Sequence, residues 1–311
     1  MTSLRELKQL LAIAQEFKRP LLRATLFGSL GHLTLVVFTY FISLFFLTKI
    51  TTIAAILFIV IFALAVLKGL FSYTEQLLNH YVAFKVLHAL RVKVLEKFKR
   101  ISVDSFTKNT SGDYMTMITT DIELLEVFYA HTITPFMIYI VQSLVVSILL
   151  LFFSVKLALV ALLIYIVIGL VYPLSFRNVG QDVGENYRRK LTQVNNNSSE
   201  EAYGIFETLQ YGKIDEALNV VTYNIGVLAF IYVAASLDSQ FITVSLVAMF
   251  IVSFIPILYM GNLASTLSQT MASGKRFLEL MNTPEEAENR GVVVDFNELK
   301  VDNLTYRYAD N

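Results

Sequence analysis

The chain has 311 residues, 55% of them hydrophobic and 16% charged, with a mean hydropathy of +0.59. That is too apolar for a soluble globular domain and points to a chain set mostly in lipid. Lys plus Arg and Asp plus Glu each number 25, so the formal net charge is zero and no global basic field draws nucleic acid; the absence of cysteine excludes disulfides and thiolate metal sites.

In chain order, Arg5, Glu6, Lys8, Glu16, Lys18 and Arg19 give the N-terminus a charge density unlike that of a signal peptide, so it is expected to be retained. Apolar stretches near 22–47, 52–74, 133–154, 156–175, 217–236 and 241–264 are long enough, or nearly so, to cross a hydrocarbon core that takes about 20 helical residues to span. The links 48–51, 154–156 and 236–240 are too short to hold a domain, so they read as tight helical hairpins on one side of the membrane. Basic residues gather on the other side. Lys18, Arg19 and Arg23 precede the first span; Lys85, Arg91, Lys93, Lys97, Lys99 and Arg100 follow the second; Arg177, Arg188, Arg189 and Lys190 follow the fourth. The positive-inside rule therefore makes these segments and both termini cytoplasmic.

Two cytoplasmic links read as helical extensions of the spans. Leu77, Leu78, Tyr81, Phe84, Leu87, Leu90, Val94 and Phe98 recur at threes and fours, predicting an amphipathic helix that continues out of the second span. Turn residues at 102–112 end that pattern, and a short crosswise helix over Asp113 to about Leu125 follows. The second link, from Phe176 to about Glu216, is broken at Asn195–Ser199, which caps a helix starting at Glu200. Beyond Asn282-Thr283-Pro284-Glu285-Glu286, a linker, Val292–Val294 and Leu299–Tyr308 have strand-like composition, the second with partial period-two alternation.

Six spans, an amphipathic N-terminal helix, two cytoplasmic tips and a β-rich end together resemble the transmembrane domain of a type IV ABC exporter. Residues 110–122, from Thr110-Ser111-Gly112-Asp113-Tyr114-Met115 to Asp121-Ile122, resemble that family's first coupling segment. Leu299-x-Val301-x-Asn303-Leu304-x-Tyr306-x-Tyr308 resembles the opening of its nucleotide-binding domain. The resemblance implies an all-α membrane protein of six transmembrane helices with long cytoplasmic extensions and two coupling helices, plus the first strands of a truncated nucleotide-binding domain. The expected domains are an interfacial elbow helix at 1–21, the transmembrane domain at 22–282, a linker at 283–297 and the start of the nucleotide-binding domain at 298–311. It also implies that Gly112, Asp113, Tyr114 and Met115, and in the second tip Tyr203, Phe206 and Tyr211, seat against nucleotide-binding domains. Tyr308 would stack on the adenine of ATP, a role that a planar ring suits; an ordinary strand aromatic is the alternative. No Walker A loop, signature segment or catalytic carboxylate occurs in these residues, so ATP and Mg²⁺ would be handled by parts of the nucleotide-binding domain outside them.

Within that family, residues 73–91, Tyr73-Thr74-Glu75-Gln76 through His80 and Phe84-Lys85 to Leu90-Arg91, are similar to the CydC-type subunits of thiol exporters. Gln76 departs from the arginine expected there. This likeness implies export of cysteine and glutathione in support of cytochrome bd assembly, a heterodimer with a CydD-like half-transporter, and the bacterial inner membrane. It also places His80 at a family histidine linked to haem b, with His32, His88 and His131 as alternatives. A second departure follows Phe206–Gly212, which resembles the second coupling segment: only Lys213 to about Glu216 remain before the fifth span. At about 1.5 Å per residue a helix cannot return from the tip in so few. A segment on the order of two dozen residues is therefore expected to be missing around Gly212–Ala217.

Lys68, Tyr73, Glu75 and Gln76 are the candidate lining of a substrate cavity. Lys68 and Glu75 are seven apart, and Gln76 and His80 four apart, so each pair lies roughly on one helical face. Charges this near hydrocarbon are costly and usually face protein or water, although snorkelling at the inner interface is the plainer account of Lys68. Pro135, Pro173 and Pro256 lie at or inside spans, as bends used in opening or as static kinks. A multidrug or lipid exporter half-transporter is the nearest rival, and a nontransporting assembly subunit a rival from another class.

Overall fold

A computed structural model describes residues 15–47, 51–101, 111–171, 217, 220–237, 240–258, 263–285, 298 and 300–305. The expected second crosswise tip with Tyr203, Phe206 and Tyr211, the expected role of Tyr308, Pro173 and the expected gap around Gly212–Ala217 lie outside them, apart from Ala217 itself. Helix α1 runs Lys18–Leu47, after a 3₁₀ turn at Gln15–Phe17. Pro20 sits in its first turn, where a missing N–H costs nothing. Helix α2, Thr51–Phe98, has 48 residues; at 1.5 Å each it is about 72 Å long, more than twice the hydrocarbon thickness, so part of it must stand outside.

Next come α3 (Ser111–Thr116), a π-helical turn at Met117–Asp121, α4 (Ile122–His131) and α5 (Ile133–Leu151). Only Thr132 interrupts the last two. Pro135 explains that interruption, because it offers no N–H to the carbonyl four residues before it. Helix α6 (Val155–Ile166) passes into a π-helical turn at Val167–Val171. It is followed by α7 (Val220–Ala234), α8 (Gln240–Val252), α9 (Ile255–Leu258) and α10 (Leu263–Asn282).

Three helices, Gln15–Leu47, Thr52–Phe98 and Gly112–Leu151, are long and apolar enough to cross a membrane, and Val155–Val171, Val220–Ala234 and Ile242–Val252 are shorter apolar helices. Each of these helices overlaps one of the six apolar stretches of the sequence.

Two apolar cores organise them. One joins Val36 of α1, Tyr139 and Val146 of α5, Leu157 to Ile168 of α6 and its turn, Phe230 of α7 and Phe250 with Phe254 around the end of α8. Its aromatic centre stacks Phe230 on Phe250 with centroids 3.9 Å apart. The other gathers Leu21, Val82, Val86, Leu90, Val94, Ile122, Leu125, Tyr129, Phe277 and Leu280, joining α1, α2, α4 and α10 at the basic end of the bundle.

Three expectations are corrected. The crosswise helix does not stop near Leu125, because α4 runs through His131 and on into α5 with Thr132 as its single turn residue. On the extension of α2, Leu90 and Val94 are buried as expected, but Leu77, Tyr81 and Phe84 are exposed. The packed seam is instead Glu75, Asn79, Val82, Val86, Leu90, Val94 and Lys97, whose spacing of threes and fours fits a helix that admits polar residues where α1 and α4 cover it. At the end of the chain residues 300–305 carry no strand, and Val301 and Leu304 are exposed. A strand needs a partner for its ladder, and among the described residues the one β-bridge pairs Ile101 with Glu285.

Candidate functional site

Three polar places interrupt this apolar bundle. The first lies between α1 and α2, which pack antiparallel, with Phe27 against Phe71 at 6.2 Å. Small residues allow the approach. A Cβ at Gly28 would stand 2.3 Å from Ile138 Cδ1 and 2.9 Å from the Glu75 carboxyl carbon, so the absent side chain is what lets the buried Glu75 sit over α1. Lys68 Nζ donates to Ser72 Oγ one turn along, and His32 of α1 lies within electrostatic reach of Lys68, as Lys68 does of Glu75. Ser29 Oγ, His32 Nδ1, Asn79 Oδ1 and Thr134 Oγ1 are buried in and near this seam without a protein hydrogen-bond partner, a state that calls for water or a bound polar group.

The candidate residues therefore divide. Lys68 and Glu75 face the seam, whereas Tyr73, Gln76 and His80 stand exposed on the other side of α2, Tyr73 at 68%. His88 is exposed too. The ring of His80 lies edge-on to that of His131 at 5.9 Å between centroids, and His131 Nε2 is 3.8 Å from Glu126 Oε1. Haem wants an axial imidazole at the edge of an apolar pocket. Here both rings are exposed and their described neighbour is a carboxylate, so the described residues of one chain do not fit a haem pocket.

The second place is where α3 and the π-helical turn after it meet α10. Tyr114 lies edge-to-face on Phe98 at 5.2 Å, and Met115 points outward. Arg276 of α10 reaches back between Asp113 and Asp121: its Nη2 donates to the Asp113 carbonyl at 3.4 Å, and its Nε is 3.5 Å from Asp121 Oδ2. Asp121 is fully buried, at 0% exposure. A cavity of about 370 Å³ lies beside this contact, lined by Asp113, Tyr114, Met117, Arg276 and Glu279 among others. Just beyond α10, Lys97 Nζ donates to Glu285 Oε1 at 2.9 Å and Arg100 Nη1 is 3.7 Å from Oε2. The sequence singles out Asp113 and Tyr114 as docking residues, a role separate from these contacts, and does not single out Asp121, Lys97, Arg276 or Glu285; an Asp within the tip and an Arg on the last helix are the only signal it carries for them.

Hydrogen bonding from Lys97, its ammonium charge and that of Arg100 hold the Glu285 carboxyl below the ordinary carboxylate value near 4.5. A depressed folded value adds stability that is complete above the unfolded one and is lost as pH falls through the folded one. Thermal melts from about pH 7 down to about pH 3 should thus show an acid destabilisation that Glu285→Gln reduces. Identical pH slopes in the two proteins would remove the contribution.

The third place is the break between α8 and α9. Pro256 leaves the Val252 carbonyl without its helical donor, and neighbouring helices serve the backbone there. Gln142 Nε2 donates to the Ser253 carbonyl at 2.8 Å, Tyr165 and Ser253 share a hydroxyl hydrogen bond, and Tyr139 Oη donates to the Tyr165 carbonyl at 2.8 Å. A broken helix is tolerated at membrane depth when neighbours satisfy it in this way.

These features define a multi-pass membrane protein with a polar seam between its first two long apolar helices, a break after its last apolar helix and a helical extension of α2 tied to the final helix. Residues 21–208 match the family described as ABC transporter transmembrane region, and the chain belongs to that family. It is 30% identical over 282 residues to a probable ABC transporter ATP-binding/permease protein of Haemophilus influenzae, a match covering 79% of this chain and 51% of that protein. It is 26% identical over 122 residues to the glutathione/L-cysteine transport system ATP-binding/permease protein CydC of the same organism, with 39% of this chain and 21% of that protein covered. Against the CydC protein of Escherichia coli the identity is 28% over 127 residues, covering 39% and 22%. The chain spans about half the length of the first relative.

Proposed function

We propose that the chain is the membrane-spanning half of an ATP-driven exporter of small zwitterionic thiols such as cysteine or glutathione, crossing the inner membrane six times with both termini cytoplasmic. The observation that carries this reading is the seam of α1 and α2, where an ammonium at Lys68, a carboxylate at Glu75 and an imidazole at His32 lie in one apolar wall beside unpartnered polar atoms. Charges at that depth are retained for a reason, and a solute bearing both signs finds a counter-charge for each. The CydC relatives, named for glutathione and cysteine transport, support the substrate class.

In this reading ATP and Mg²⁺ bind a nucleotide-binding domain that begins near residue 298, with Tyr308 on the adenine, and a homologous, CydD-like half-transporter completes the cavity. Closure of the nucleotide-binding domains shifts the population between inward- and outward-open bundles. The exposed Met115 and its neighbours Gly112, Asp113 and Tyr114 dock the first tip, and Tyr203, Phe206 and Tyr211 the second. Tyr73 and Gln76, on the open face of α2, meet the solute or the partner.

A lipid or drug half-transporter is favoured by one observation, an apolar groove of about 260 Å³ between α5 and α6 lined by Phe136, Ile140, Leu144 and Leu162 among others. The two readings separate in inverted vesicles carrying the full-length protein and its partner. ATP-dependent uptake of labelled glutathione should fall at least about tenfold in Glu75→Gln while ATP hydrolysis persists, since a charged hydrogen bond is worth 1.5–3 kcal/mol. Hydrophobic compounds that stimulate ATP hydrolysis, with no thiol uptake in the wild type, would replace thiol export by the apolar reading.

A further inference from the structure

The chain leaving α10 does not run free from the bundle. At Glu285 it pairs by a backbone bridge with Ile101, just beyond the end of α2, while its carboxylate takes a hydrogen bond from Lys97 and faces Arg100. Lys97 lies on the buried seam of α2 and is 8% exposed, so its stem is packed and its ammonium is held at the one place where Glu285 can meet it. Nine residues earlier in the same contact region, Arg276 grips the first tip through the Asp113 carbonyl and Asp121. A surface ion pair alone contributes little; here backbone, buried lysine and guanidinium fix the same junction.

We infer that Lys97 and Glu285 form a strap by which displacement of the chain beyond residue 285 is delivered directly to α2, in parallel with any push on the coupling tips. The inference rests on the exporter reading only in taking that displacement to come from nucleotide. Helix α2 is suited to carry it. It is one unbroken helix from Thr51 to Phe98, so a movement at Lys97 reaches Gln76, 21 residues earlier and about 30 Å away, without an intervening hinge. Glu75 and Lys68 lie on the same rod, which puts the polar seam under the control of the strap. Lys97 and Glu285 are positioning residues: neither touches solute or nucleotide.

The test uses the full-length transporter with its partner in inverted vesicles, with Gln76→Cys introduced on a background lacking other cysteines. A maleimide reports exposure of that position before and after trapping with ATP and vanadate. Trapping should change the labelling rate by about fivefold with the strap intact, a coupling of the usual size, and Glu285→Gln and Lys97→Met should each cut the change below about twofold. Lys97→Arg, which restores the charge, should restore the response, which a merely structural loss would not do. Glu285 is exposed at the rim, so Glu285→Gln keeps the test open if Lys97→Met does not fold. A full response in Glu285→Gln, or no response at Gln76→Cys in a wild-type strap that hydrolyses ATP, overturns the strap alone. A wild type that neither binds nor hydrolyses ATP overturns the exporter reading and the strap with it.

Discussion

Arg276→Met should cost about 3–5 kcal/mol of stability, the usual penalty for stripping the partner from a buried charge. Asp121 is fully buried inside the π-helical turn, and the guanidinium of Arg276 approaches it at 3.5 Å while also bonding the Asp113 carbonyl. Methionine keeps most of the packing of the stem but removes the guanidinium charge from the buried carboxylate in the core that holds Met117, Phe277 and Leu280. The measurement is thermal unfolding in detergent beside Asp121→Asn and the double variant. The single change at Arg276 should lower the midpoint most. Adding Asp121→Asn should recover much of the loss, because replacing both partners of a buried pair is often nearly neutral. A double variant as unstable as the sum of the singles would mean that the two side chains do not act as a pair.

That pair also marks the boundary of what could be read from the sequence. The spans were legible because lipid demands long apolar stretches, and helices observed at 18–47, 51–98 and 133–151 follow the predicted 22–47, 52–74 and 133–154. The unbroken exit of α2 from the membrane was legible from its period. Which face of α2 would be covered was not: the stripe through Leu77, Tyr81 and Phe84 is more apolar than the seam through Glu75 and Asn79, and only the approach of Gly28 and α4 explains why the polar side is the packed one. The continuation past Leu125 was not legible: α4 runs on through His131, and Asp121 and Thr132, polar residues on either side of it, are both buried. The contact of Glu285 with Lys97 spans 188 residues, a distance over which no local pattern speaks.

Between α5 and the π-helical turn that follows α6, Gly169→Ala tests the linkage between the two distorted helices. A Cβ at Gly169 would stand 2.3 Å from Tyr139 Cε1, and an aromatic ring packed at 3% exposure has nowhere to yield. Tyr139 would have to swing out, releasing the Tyr165 carbonyl that it bonds at 2.8 Å. Helical π-turns such as Val167–Val171 depend on side chains or neighbours for carbonyls out of register. The loss should therefore combine overpacking, about 1–3 kcal/mol, with the loss of one buried hydrogen bond, about 0.5–1.5 kcal/mol. Tyr139→Phe removes the hydroxyl while leaving the ring, so it isolates the second contribution and should be the milder change. Because Tyr165 also shares a hydrogen bond with Ser253 at the α8–α9 break, faster amide exchange after Gly169→Ala is expected not only at 167–171 but also at 253–258. Exchange that quickens at the first segment and leaves the second untouched would show that the two breaks bend independently. Exchange that quickens at both makes Tyr165 the contact through which the fourth and sixth apolar helices change shape together.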